Sequence, residues 1–226
     1  MNEEDSMKIL CLGDSYTVGE GVPAEDSWPF QLVHALRKRD VPVAPPVVVA
    51  KTGWTSEELL AAMEQASLEP PYAMVSLMVG VNDQYRGRSV ADYTCDFESL
   101  LSQAIALAGG RSERVFVLSI PDWSVTPYAK KETPERDPQR IAEEIKAFNA
   151  VTARICYQQT IHYIHVTEMS RDARRGELYR APDGLHYSRK MYTHWVEHLF
   201  PRVFSTLYPG HPMHIPLLYQ NQQVKP

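Results

Sequence analysis

An α/β fold, with a mostly parallel sheet covered by helices on both faces, is predicted by three observations. Short apolar runs rich in β-branched residues recur at 8–12, 46–50, 72–79, 114–120 and 161–166. Longer stretches with apolar residues at helical spacing lie between them, and such alternation is the pattern of parallel strands joined by helical crossovers. The chain has 226 residues, 44% of them hydrophobic, enough to bury one substantial core. Residues 1–208 are therefore expected to form a single domain.

Each element has its own signal. The first run, Met7-Lys8-Ile9-Leu10-Cys11-Leu12, breaks into Gly13-Asp14-Ser15-Tyr16-Thr17-Val18-Gly19. That is a glycine turn at the carboxyl end of a strand, where open α/β sheets place their ligands. A helix over 27–39 follows, with Phe30, Val33 and Leu36 on one stripe. The second run leads to Gly53 and then to Thr55-Ser56-Glu57-Glu58. Here Thr55 can cap the free amides of a helix over 55–66, and Glu58 can reply from three residues on. The third run ends in Gly80-Val81-Asn82-Asp83, and a helical pattern over 92–108 closes at Gly109-Gly110. After the fourth run, residues 121–138 hold four prolines and clustered charge. They read as a long surface excursion at the ligand end of the sheet, a candidate specificity wall or lid. Ile141, Ile145, Phe148, Val151 and Ile155 keep helical register over 139–158. A last helix over 188–207 carries Met191, Trp195, Val196 and Leu199, with a kink expected at Pro201. Residues 209–226 are polar and proline-interrupted, a tail expected to pack along the surface or to pair with another subunit in a homo-oligomer.

Composition excludes several classes. A formal net charge of -5 with interspersed signs provides no broad field for nucleic acid or anionic lipid. The three cysteines, Cys11, Cys95 and Cys156, are far apart and form no C-x-x-C spacing, which suits reduced thiols in a cytoplasmic protein. No run approaches the roughly 18 apolar residues of a membrane span, and the first apolar run is too short for a signal-peptide core. His194 and His198 stand four apart on a helical pattern, but no third ligand follows at a recognisable spacing, so no metal is expected.

The chemistry-bearing residues fall at strand ends. A hydroxyl becomes a competent nucleophile when a neighbouring imidazole takes its proton, and a carboxylate on the other ring nitrogen fixes the tautomer. Ser15 is the candidate nucleophile, His186 the base, and Asp183, three residues before it in Asp183-Gly184-Leu185-His186, the orienting carboxylate. Charge developing on a carbonyl oxygen needs preorganised donors. The amide of Ser15, a backbone amide at Gly53 and the side-chain amide of Asn82 are available for this. Trp54 and Tyr85 adjoin two of these donors, and Trp123 and Tyr128 lie in the excursion; all four are candidate substrate contacts.

These four blocks, Ser15, Gly53, Asn82 and His186 in that order, resemble the SGNH or GDSL-type hydrolase superfamily of esterases and lipases. The resemblance implies a flavodoxin-like, three-layer α/β/α fold with a five-stranded sheet. It also implies hydrolysis of small acyl esters through an acyl-enzyme, with neither metal nor organic cofactor. Tyr16 stands where the name motif has leucine, which weakens any literal inference of lipase activity. The lack of a long exposed apolar stretch favours short-chain or carbohydrate-linked acyl groups. The rival readings are an acyltransferase using the same residues and a binding module that keeps only the pocket. The ordinary α/β-hydrolase elbow is excluded, because Thr17 stands where G-x-S-x-G needs glycine.

Overall fold

A computed structural model of the chain describes residues 6–171 and 176–210. Its strands are Ile9–Gly13 (β1), Val47–Ala50 (β2), Met74–Met78 (β3), Val115–Leu118 (β4) and His162–Ile164 (β5). Its helices are Ser15–Val18 (α1), Trp28–Arg37 (α2), Ser56–Gln65 (α3), Val81–Tyr85 (α4), Val90–Leu107 (α5), Pro127–Lys131 (α6), Pro138–Gln158 (α7), Thr167–Arg171 (α8) and Arg189–Leu207 (α9). The sheet runs β2-β1-β3-β4-β5, and every ladder in it is parallel.

This order explains the layers. The crossover from β1 to β2 steps one way across the sheet and the later ones step the other way. Because such crossovers are right-handed, α2 falls on one face and α3, α5 and α7 on the other. Accordingly α9 packs on α2, while α5 packs between α3 and α7. The order reverses between β1 and β3, so the carboxyl ends of those strands flank the crevice where such folds bind ligands.

β1 and β3 are buried along their whole length, whereas β2, at the sheet's edge, is partly exposed. One continuous cluster of buried side chains extends from Ile9 to Leu207. Both hydrogen bonds of the expected capping box form, Glu58 N to Thr55 Oγ1 and Thr55 N to Glu58 Oε2.

Two expectations differ from what is observed. On α2 the buried stripe is Trp28, Leu32, Val33 and Leu36, and Phe30 is only half-buried. The expected last helix forms as α9 and includes Pro201, with core side chains Leu199 before it and Val203 and Phe204 after it. The stretch 121–138 is not a simple surface excursion. Pro121, Asp122, Trp123, Ser124, Thr126, Ala129 and Thr133 are buried. Asp122 caps a short 3-10 turn by accepting from Ser124 N, and its carboxylate pairs with Arg171 at 2.7 Å. The expected tail lies outside the described residues from 211 onward.

Candidate active site

The turn after β1 is built so that it admits no side chain at 13. A Cβ there would meet the Thr17 hydroxyl and stand 2.5 Å from the Met78 carbonyl oxygen of β3. Gly13 thus lets the strand run tight against its neighbour before the chain turns. Asp14 then caps α1 by accepting from Tyr16 N at 3.0 Å, which leaves Ser15 as the first helical residue, buried at the amino end of α1. Burial pushes the Asp14 carboxyl up to about 7, against the Tyr16 amide that favours its charge, and nearby Asp83 adds repulsion.

After β2 the chain turns at Gly53, whose φ of 88° is open to glycine and costly for other residues. The Gly53 carbonyl accepts from Arg86 Nη2 at 2.6 Å, and Arg86 also pairs with Glu58 of the capping box at 3.1 Å. After β3, Asn82 sits in the first turn of α4 and donates Nδ2 to the Trp54 carbonyl at 2.9 Å. A side-chain amide has two donors, so this bond orients Asn82 and leaves its second hydrogen available. Beside it, fully buried Asp83 accepts from Ser56 N and Oγ and from Arg88 Nη1 at 2.7–2.9 Å. That network locks the amino end of α3 to α4.

The carboxyl-terminal loop closes the site from the other side. Ala181 N donates to His186 O, Gly184 N to Ala181 O, and Arg180 bridges Tyr187, which together form a tight hairpin. Within it Asp183 Oδ1 accepts from the amides of Leu185 and His186, while Oδ2 stands 2.6 Å from His186 Nδ1. Partial burial works to raise the Asp183 carboxyl, but the His186 ring and these two amides outweigh it and hold it below the usual carboxylate range. The His186 ring is buried and packs edge-on against Tyr16, whose ring also contacts Tyr187 and Trp195. Tyr16 is therefore the floor under the imidazole, and this accounts for an aromatic residue at that position.

A pocket of about 170 Å³ collects these residues: Ser15, Gly53, Asn82 and His186 line it, with Tyr85, Trp123 and Tyr128 as aromatic walls. Asp183 stands one hydrogen bond behind, on the far nitrogen of His186. Trp54 is the exception among the expected contacts. It does not line the pocket, because its half-buried side chain packs on the core and only its carbonyl reaches Asn82. Thr52, Val81 and Leu185 line the pocket as well, and nothing in their local sequence distinguishes them. Among the described residues, no group of three His, Cys, Asp or Glu is placed to hold a metal, and no helix is long and apolar enough to cross a membrane.

The model of the GDSL-like lipase/acylhydrolase family matches residues 11–194. Among solved structures, that of TesA is similar at 20% identity and a TM-score of 0.69, covering 88% of this chain and 99% of that one. The lipase/acylhydrolase from Enterococcus faecalis is 22% identical at a TM-score of 0.67, with 91% and 100% covered. Axe2, an acetylxylan esterase from Geobacillus stearothermophilus, is 16% identical at 0.65, with 91% and 95% covered. No curated protein matches the chain. At these identities the likeness is one of fold, a three-layer α/β/α arrangement.

Proposed function

Because the chain belongs to the GDSL-like lipase/acylhydrolase family, we propose that it is a serine esterase that hydrolyses small acyl esters through an acyl-enzyme. The observation that carries this reading is the single pocket in which Ser15 and His186 meet Gly53 and Asn82, with Asp183 on the second nitrogen of the ring.

In this reading the Ser15 hydroxyl adds to the acyl carbonyl while His186 Nε2 takes its proton, and Asp183 stabilises the imidazolium that results. The carbonyl oxygen becomes an oxyanion facing the Ser15 amide, a backbone amide at Gly53 and the second hydrogen of Asn82. Collapse of the adduct breaks the ester bond, and the leaving alcohol takes the proton from His186. Water repeats the sequence on the acyl-enzyme: it gives its proton to His186, releases the acid and regenerates the serine hydroxyl.

Substrate size follows from the walls. At about 170 Å³ the pocket is smaller than the roughly 300–1,000 Å³ of drug-sized ligand sites, which favours short acyl groups over lipid tails. The acetylxylan esterase among the structural neighbours is consistent with a carbohydrate as the alcohol. The unpaired thiols of Cys11, Cys95 and Cys156 support a cytoplasmic setting. Hydrolysis of p-nitrophenyl acetate tests the assignment directly. Wild type is expected to turn it over and Ser15→Ala to lose at least about 10⁴-fold with an unchanged melting profile; equal turnover by the variant rejects Ser15 as nucleophile.

A further inference from the structure

Tyr85 lines two cavities at once. One is the 170 Å³ pocket that holds Ser15 and His186; the other is a cleft of about 350 Å³ also lined by Gln84, Arg136, Ile141 and Glu144. Tyr85 is the residue that both linings share. Tyr85 is the last residue of the short helix α4 and is only half-buried, so its own helix does little to fix its rotamer.

Arg136 supplies what the helix does not. Its Nη2 donates to the Tyr85 carbonyl at 2.7 Å, and its guanidinium lies 4.4 Å from the centre of the Tyr85 ring and 5.9 Å from that of Trp123. A guanidinium over an aromatic face is attracted by the ring's quadrupole, so backbone and ring are gripped by one side chain. Tyr85 also meets the Trp123 ring edge-on at 5.5 Å, and Trp123 is itself fixed by donating Nε1 to Gln84 Oε1 at 2.7 Å. Tyr128 lines the same pocket, where the neighbouring Tyr85 phenol, together with burial, pushes its own phenol up. Of these three partners of Tyr85, Arg136 lines the second cleft, whereas Trp123 and Tyr128 line the first pocket.

We propose that Arg136 is a positioning residue for specificity: by pinning Tyr85 it seals the active-site pocket from the second cleft and so sets the upper limit on acyl length. The kinetic part of this inference rests on the ester-hydrolase reading. Its structural part, that Tyr85 is held closed by Arg136, stands by itself.

The test uses the full chain with Arg136→Ala and Arg136→Lys. In R136A the ratio of kcat/KM for p-nitrophenyl octanoate to that for the acetate is expected to rise by about tenfold or more, with acetate kcat changed by less than about threefold. R136K is expected to fall between, since an ammonium keeps the charge over the ring but lacks the planar fork. General destabilisation lowers both rates together and leaves the ratio where it was, so an unmoved ratio overturns the proposal. A crystal structure of R136A is expected to show Tyr85 displaced and the two cavities joined. Tyr85 unmoved overturns the proposal whatever the kinetics. Should wild type hydrolyse no ester, the ester-hydrolase reading fails, and the crystal structure alone decides whether Arg136 holds the wall.

Discussion

The inner and outer halves of the pocket are held by different kinds of contact. In the inner half, Ser15 and His186 are placed by bonds that close within a few residues: Asp14 to Tyr16 N, Asp183 to His186 N and Nδ1, Gly184 N to Ala181 O. In the outer half, Trp123 is tied to Gln84 across 39 residues and Arg136 to Tyr85 across 51. The lesson is that the proposed bond-making groups are aimed chiefly by bonds within their own turns, whereas the groups that shape the pocket depend on distant partners. Asn82 stands between the two: it belongs to a strand-end turn, but its orientation comes from Trp54, 28 residues away.

That contrast predicts where perturbations will be felt. The largest expected effect in the inner half after loss of the nucleophile is Asp183→Asn. It keeps the shape of the loop but cannot support the imidazolium, and kcat should fall on the order of 10³–10⁴-fold while KM and acyl-length preference stay put. A shift in preference instead would dissolve the division between the halves. Asn82→Ala should cost on the order of 10²–10³-fold in kcat. Because Asn82 also braces Trp54, the same variant is expected to lose a little thermal stability; a kcat within about threefold of wild type removes Asn82 from the oxyanion donors.

The smallest effect concerns stability alone. Burial raises the Asp14 carboxyl to about 7, so the folded chain keeps a proton that the unfolded chain gives up near its ordinary carboxylate value. Stability contributed by that proton is full at low pH and falls as pH rises through the window from about 4 to about 7. Asp14→Asn retains an oxygen to cap Tyr16 N and has no charge to bury. The melting temperature of the variant should therefore decline less than that of wild type between pH 5 and pH 7, and parallel curves refute the assignment.

The same division explains how far the sequence could be read. All five strands were legible as apolar runs, and the box at Thr55 and Glu58 was legible because both of its bonds close within one helical turn. Ser15, Gly53, Asn82, Asp183 and His186 could be named because each lies in a turn with its own local signature. Trp54 lies outside the pocket lining because adjacency to a donor does not say which way a side chain points; here it packs on the core. Prolines and charge made 121–138 look superficial, while the burial of Asp122 and Trp123 depends on Arg171 and Gln84, partners that no local pattern reveals. Arg136 sits in a charged run with no motif around it, and only the folded chain brings it onto Tyr85.

Covalent capture bears most directly on the central claim that Ser15 is an activated nucleophile driven by His186. Wild-type protein treated with a fluorophosphonate and analysed by peptide mass spectrometry is expected to carry a single adduct on Ser15, with labelling slowed by at least about 10³-fold in His186→Ala. Absence of an adduct, or one placed on another residue, contradicts the account.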